Sequence, residues 1–213
     1  KEDEILGLAD PSSFDPIVME VGRAIFRRDA GGRAEGIEHF GYVDGRSQPL
    51  MIEELIDRER DENGGIDIWD PRFPLRQVLV PDPGAADADT GFGSFFVFRK
   101  LEQDVRGFKD AEEKLGKQLG IDELAGAFLV GRFEDGTPVT LFGKESAAHP
   151  VVNNFDYSAD MGELRCPFSA HIRKTNPRGD TERLGFGSIA DERSHIMARR
   201  GMPFGTRNHV TSP

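Results

Sequence analysis

Three short blocks of this sequence combine residue types able to do chemistry. The first is Cys166-Pro167-Phe168-Ser169-Ala170-His171-Ile172-Arg173-Lys174-Thr175-Asn176-Pro177-Arg178. Pro167 suits a helix start and Asn176-Pro177 disfavours helix beyond Thr175, so His171 is expected on one short helix. A neutral imidazole beside apolar groups and followed by cations could ligate a haem iron, with the cations meeting the propionates. The plainer alternative is a buried histidine satisfied by backbone. The second block is Gly41-Tyr42-Val43-Asp44-Gly45-Arg46-Ser47-Gln48-Pro49. A glycine on each side lets the backbone turn tightly and approach a flat ligand, and Asp44 then stands at a strand end as an acid/base candidate. Asp-Gly is also a common turn. The third is His195-Ile196-Met197-Ala198-Arg199-Arg200-Gly201-Met202-Pro203-Phe204-Gly205. An arginine ahead of a Gly-x-Pro-x-Gly loop can be aimed into a pocket, where its fork would stabilise charge developing on a peroxide oxygen. Otherwise it is a helix-end arginine offsetting the macrodipole, the reading preferred for Arg200.

The elements that must position these residues follow from patterning. Apolar residues at Phe14, Ile17, Val18, Val21, Ile25 and Phe26 have helical spacing. His39 to Val43 reads as a strand entering the Asp44-Gly45 turn. Residues 57–90 read as a loop system with one strand, Gln77 to Val80, and the Ala/Asp run at 84–90 is the best linker. Gly93–Leu101 reads as a strong strand, followed by helices over 104–119 and 121–130 and a turn at Asp135-Gly136-Thr137-Pro138. Strands feeding helices indicate an α+β or α/β chain.

Composition narrows the class. The chain has 213 residues, 37% hydrophobic, with 25 glycines; this is ordinary globular usage. One cysteine rules out an internal disulfide framework and a Cys-rich zinc site, and Cys166 itself reads as a small buried hydrophobe. The net charge is −11, split into +5 over residues 164–213 and −16 over the rest. Such acidity argues against nucleic-acid binding, which needs cationic surface to displace counterions. No apolar run approaches the roughly 18 residues of a membrane span. The start, Lys1-Glu2-Asp3-Glu4, has no charged-then-apolar leader, which favours the cytoplasm.

Taken together, the blocks resemble the dye-decolorizing peroxidase family of haem proteins. The resemblance rests on Gly41, Asp44 and Gly45, on the Ser94–Asp104 stretch, on Gly131-Arg132-Phe133 with Asp135-Gly136-Thr137-Pro138, and on the His171 and Arg199 blocks, in family order across about 38–205. It implies two ferredoxin-like α+β halves, here 1–90 with the Gly-x-x-Asp-Gly string and 91–213 bearing haem b, joined near 84–92. It implies His171 as the iron ligand, Asp44 and Arg199 as catalytic groups, Gly45 near the haem and Arg178 at a propionate. The activity implied is reduction of hydrogen peroxide with single-electron oxidation of small or bulky aromatic donors. Family chains extend further at both ends, so a complementary polypeptide or a homo-oligomer enters as a possible partner. Phe204 stands where some relatives carry a tyrosine. The rival readings are a haem carrier, an iron-extracting enzyme, or a piece active only with a complementary chain. A bulky dye cannot enter a peroxide-sized pocket, so oxidisable relays matter; Trp69 reads as the better surface candidate, with ordinary loop packing the preferred reading for it, and Tyr42 as near the haem but pointing away. His39, His149, His195 and His209 carry no trusted motif.

Overall fold

The computed structural model describes residues 20–28, 32, 34–87, 89–122, 124–145 and 152–205. They form an α+β arrangement with two small antiparallel sheets. Strand β1 (Ile25–Arg28) pairs with β2 (Ala34–Ile37), with Ile25 opposite Ile37 and Arg28 opposite Ala34. Strand β3 (Val80–Pro81) pairs with β4 (Phe92–Gly93), so the expected linker lies within the connection of that hairpin, where the Asp82 amide donates to the Gly91 carbonyl. Six described helices accompany them: α1 (Glu53–Glu62), α2 (Val105–Leu119), α3 (Leu124–Val130), α4 (His171–Thr175), α5 (Asp180–Arg183) and α6 (Ile189–Ser194).

Helix α2 begins where Asp104 accepts the Gly107 amide at 2.9 Å, satisfying one donor of the first turn. It ends at Gly120, whose φ of 67° closes the helix in the left-handed region. Helix α6 opens on a capping box: the Ser188 hydroxyl accepts the Asp191 amide while the Asp191 carboxylate accepts the Ser188 amide. Both long helical expectations, over 104–119 and 121–130, match α2 and α3. The 135–138 turn also forms, with the Thr137 amide donating to Asp135.

Four local expectations change. The helix expected from Phe14 gives way at its end to strand β1, and its first positions lie outside the described residues; Ile25–Arg28 alternate inward and outward against β2, and pairing overrides a spacing that suits either period. The strand expected over His39–Val43 is a turn, because the Glu38 carboxylate accepts the Phe40 and Tyr42 amides and Gly41 takes φ 106°; only Val43 bridges, to Ile37. Helix α1 runs through the start of the expected loop system. Its charged, strong helix formers bury one side chain, Ile56, a pattern too faint to read by period. The expected Gly93–Leu101 strand joins a ladder only at Gly93. Residues 94–101 run on without helix or sheet, and Phe95 and Phe96 are each 87% exposed. An apolar run becomes a strand only where a neighbouring edge is offered. The Gln77–Val80 strand shrinks likewise to β3, preceded by a 3-10 turn at Leu75–Gln77.

The core gathers Ala127 of α3 with Phe133, Val139, Phe155, Tyr157, Cys166 and Ala170. Burial raises the Cys166 thiol to about 11, which suits a small apolar residue rather than a nucleophile. Helix α4 is fixed to this core by Arg173. Its guanidinium donates to Asp180 at 2.6 Å, to Asp160 at 3.3 Å and to the Cys166 carbonyl. Arg173 therefore faces inward and is not one of the cations open to a ligand, whereas His171 faces outward on the same helix. Thr175 ends α4, as Asn176-Pro177 requires.

Candidate functional site

Asp44 is positioned by the turn that leaves β2. Its amide donates to the Gly36 carbonyl at 3.0 Å, and the preceding Val43 amide donates to Glu134 at 3.1 Å. Gly41 and Gly45 hold φ of 106° and 78°, so the turn on either side needs glycine. Gly45 has open space where a side chain would be. Among the described residues the exposed Asp44 carboxylate accepts only the Gly45 amide, at 2.7 Å.

Arg199 approaches from the other end of the chain. Its amide donates to the Gln48 side chain at 3.1 Å, tying its loop to the segment after Asp44. The loop continues to Gly201, where a Cβ would stand 2.5 Å from Asp44 Oδ2. Any larger residue at 201 would push the carboxylate away. Two further bonds hold this loop: the His39 ring to the Phe204 carbonyl at 2.8 Å, and the Arg23 amide to the Pro203 carbonyl at 2.8 Å.

His171 completes the group at the first position of α4. Burial lowers its basicity most, and the Arg199 guanidinium lowers it further, while the Asp44 and Glu38 carboxylates pull the other way. These interactions place Asp44, Arg199 and His171 in one local field. Among the described residues neither the His171 ring nor the Arg199 guanidinium has a hydrogen-bond or ion-pair partner. Three polar groups converge with their bonding capacity largely unused.

Arg199 borders an open cleft of about 470 Å³, walled also by Ser47, Lys174, Asn176, Phe186 and Met197. Phe186 is 82% exposed and Met197 is also exposed, giving an apolar face uncovered by protein. Arg178, expected at the ligand, is buried behind Ser47. It donates to the Asn153 and Phe155 carbonyls at 2.7 and 2.6 Å and to Ser47 Oγ at 2.8 Å. Arg132 donates to the same Ser47 oxygen at 2.9 Å. Burial, joined for Arg132 by repulsion from Arg178, lowers the two guanidiniums to about 9 and about 10, still charged at neutral pH. Two buried cations thus back the cleft wall.

These features fit a haem. Among the described residues no group of three metal-ligating side chains occurs. The free imidazole would suit the iron, the exposed Phe186 and Met197 the ring, and Lys174 its carboxylates, whereas the Arg132 and Arg178 guanidiniums are already held by protein acceptors.

Some predicted residues fall elsewhere. Trp69 is 5% exposed, which fits the preferred reading of loop packing and not a surface relay. It lies between the Arg178 and Arg193 guanidiniums, each 5.3 Å from its ring. His195 caps the end of α6 and borders the cleft, its ring bonded to the Asp191 carbonyl. His149 and His209 lie outside the described residues. Sequence reasoning missed Ser47, Gln48 and the contact between Gly201 and Asp44. The first two follow Asp44 directly, and that adjacency was the available signal.

This chain belongs to the dye-decolorizing peroxidase family. In sequence it is 56% identical over 202 residues to the multifunctional dye peroxidase DyP2 of Amycolatopsis sp., covering 93% of this chain and 42% of that relative. It is 32% identical over 203 residues to the dye-decolorizing peroxidase msp1 of Mycetinis scorodonius, covering 82% and 35%. In structure it superposes on DyP2 from Amycolatopsis with a TM-score of 0.89 at 50% identity, over 100% of this chain and 46% of that one. A DyP-type peroxidase of Anabaena gives 0.79 at 44% identity, over 89% and 40%. The chain therefore spans less than half the length of these relatives. No family model matches it. No described helix is long and apolar enough to cross a membrane.

Proposed function

We propose that this chain carries the centre of a haem peroxidase that reduces hydrogen peroxide and oxidises small or bulky aromatic donors by single electrons. The observation that carries the reading is the convergence of Asp44, Arg199 and His171 with their side chains otherwise uncommitted. Haem b, when bound, supplies an iron and a conjugated ring that accept and give single electrons. His171 holds it through the neutral ring nitrogen. Asp44 takes the proton from the near peroxide oxygen and returns it to the far one, which leaves as water. Arg199 stabilises the negative charge that develops as the oxygens part. Gly201 leaves room for the Asp44 carboxylate, and Gln48 anchors the Arg199 backbone. Arg178 acts on a propionate from behind Ser47, as a buried charge that also orients the hydroxyl.

The finer architecture belongs to the same proposal: two ferredoxin-like halves meeting near residues 84–92, the second bearing haem. The exposed apolar run at Phe95–Phe98 favours a partner surface supplied by a complementary polypeptide or a second copy. A carrier role needs neither Asp44 nor Arg199.

The test is haem titration of the chain followed by peroxide consumption. His171→Ala should lose the imidazole-ligated Soret spectrum. Asp44→Asn should keep haem binding while peroxide consumption falls by about 10²–10⁴-fold, the range of a positioned acid/base. An imidazole-ligated spectrum surviving in His171→Ala, or full turnover in Asp44→Asn, overturns the assignment.

A further inference from the structure

Arg199 sits on an arch of chain that owes nothing to regular structure, since residues 196–203 lie in neither helix nor strand. Its guanidinium is therefore aimed by the bonds that hold the arch. At the near end Gln77 donates to the Ile196 carbonyl at 3.1 Å. At the far end the Arg23 amide donates to the Pro203 carbonyl and the His39 ring, through Nε2, to the Phe204 carbonyl, each at 2.8 Å. Between the ends the Arg199 amide donates to the Gln48 side chain, an exposed bond for which water competes. The His39 bond is part-buried, and it runs from the far end of the arch to the turn that carries Asp44.

His39 can serve as a fixed point because its turn is braced on α2. The His39 amide donates to Gln103 Oε1 at 3.3 Å, and the Gln103 side-chain nitrogen donates to Glu38 at 2.6 Å, one residue ahead of the Asp104 cap. The Phe40 ring stacks on Phe108 of α2 with centroids 4.3 Å apart, and the Tyr42 hydroxyl donates to Glu112 of the same helix at 3.2 Å. The imidazole and Asp44 are thus borne by one turn with one set of supports. A carbonyl oxygen only accepts, so Nε2 of His39 carries the hydrogen. A side chain with no donor at this point would leave the Phe204 carbonyl without that bond and the far end of the arch on the Arg23 amide.

We propose that His39 is a positioning residue of the Asp44–Arg199–His171 site: through the Phe204 carbonyl it latches the Arg199 arch to the Asp44 turn and so sets where the guanidinium stands. Its effect on peroxide rests on the peroxidase reading; the latch itself does not. His39 touches no reacting atom in this account and acts through Arg199. The latch complements the contact on the same loop between Gly201 and the Asp44 carboxylate. Gly201 admits the carboxylate, and His39 keeps the loop from drifting off it.

The experiment has two arms and two variants. His39→Leu fills the space without a donor, while His39→Gln places an amide nitrogen where Nε2 stood. In the first arm, hydrogen exchange is read at the Arg23 and Arg199 amides by nuclear magnetic resonance. Exchange at both should quicken by about tenfold in His39→Leu, the worth of one hydrogen bond, and stay near the wild-type rate in His39→Gln. Amides of α2 should exchange as in the wild type. Unchanged exchange in His39→Leu, no rescue by His39→Gln, or equal quickening in α2 overturns the latch. In the second arm, the haem-loaded chain consumes peroxide. His39→Leu should slow this by about 10- to 100-fold, as a misplaced catalytic group does, with His39→Gln again near the wild type. In an Arg199→Leu background, His39→Leu should add almost nothing, because the group it positions is gone. Equal losses in both backgrounds would make His39 merely structural and overturn the proposal. Absence of peroxide consumption by the wild-type chain would instead refute the peroxidase reading, while the first arm still decides whether His39 holds the arch.

Discussion

The two buried tyrosines lie in opposite electrostatic settings. Tyr42 packs edge-on against Phe108, among Glu112, Glu134 and Glu38, with the Lys109 ammonium 5.4 Å above its ring. Tyr157 packs edge-on against Phe155, among Arg132, Arg173 and Arg178, with the Arg173 guanidinium 4.5 Å above its ring. Burial raises both phenols. For Tyr42 the carboxylates push further in the same direction, whereas for Tyr157 the three arginines pull back. Burial and ring packing are nearly matched, so the difference lies in what the hydroxyl meets. One region supplies a proton acceptor beside a cleft. The other stacks cations on aromatic faces and holds the framework of the site.

The largest effect that would sharpen this contrast comes from removing the cation that organises the arginine region. Arg173 has a side chain only 1% exposed and engages Asp160 and Asp180 together. Arg173→Met should leave the buried Asp160 carboxylate without its counter-charge, while Asp180 keeps its ion pair with Arg183 at 3.0 Å. Breaking such a buried pair from one side costs about 3–5 kcal/mol. Urea unfolding followed by tryptophan fluorescence would read the loss, with Trp69 as the reporter. A loss below about 1 kcal/mol would mean that the amides of Arg165 and Cys166, which donate to Asp160 at 3.1 and 2.8 Å, suffice to hold that charge. The contrast between the regions would then be one of shape and not of charge.

A smaller effect tests whether the arginines shield Trp69 from oxidation. A unit charge 5.3 Å away contributes up to about 3 kcal/mol at an effective dielectric of about 20. Arg193 also donates to the Asp70 carbonyl at 2.9 Å and to the Arg72 carbonyl, so it is held over the ring. Arg193→Gln should make Trp69 easier to oxidise, by up to about a hundredfold in yield if the full field is felt. Mass spectrometry of ring-opened tryptophan products after photo-oxidation would measure it. Equal yields in both proteins would show that the Arg193 charge does not protect Trp69.

The legible and illegible parts of the sequence divide along the same physical line. Helices α2 and α3 are readable because their stabilising contacts repeat at local spacing, and α2 also carries local caps at both ends, Asp104 and Gly120. Asp44, His171 and Arg199 were readable as types within motifs, and the fold brings them together. Their meeting point was not readable, because it depends on Gly201 against Asp44 and Gln48 under Arg199, contacts across more than 150 residues of chain. The same holds for Arg178: the sequence marks a cation near the ligand, but only the fold shows its head turned inward onto Ser47 and two carbonyls. Arg173 and Lys174 looked like one basic cluster, yet the helix sends Arg173 into the core and Lys174 to the cleft. The Phe95–Phe98 run shows the converse: its pattern is strong, but strand formation needs a partner edge that no described residue provides. Trp69 packs as a tryptophan's size leads one to expect, but the polar loop preceding it does not reveal the two guanidiniums that enclose it.

The smallest expected effect concerns the Tyr157 hydroxyl itself. It is buried and without a hydrogen-bond partner among the described residues, and the ring around it is held by Phe155 and Arg173. A buried polar atom with no partner has lost its bond to water and gained none in return. Tyr157→Phe removes that cost while preserving the ring and its cation contact. The variant should therefore be as stable as the parent or more stable by up to about 1 kcal/mol, in contrast to the usual penalty for altering a core residue. The matched change Tyr42→Phe removes a hydroxyl that does have a partner and should cost about 0.5–1.5 kcal/mol. Thermal or urea unfolding of the pair gives the comparison directly. Equal destabilisation by both substitutions would mean that the Tyr157 hydroxyl is bonded in solution, and the distinction between a phenol with a base and one without would no longer hold.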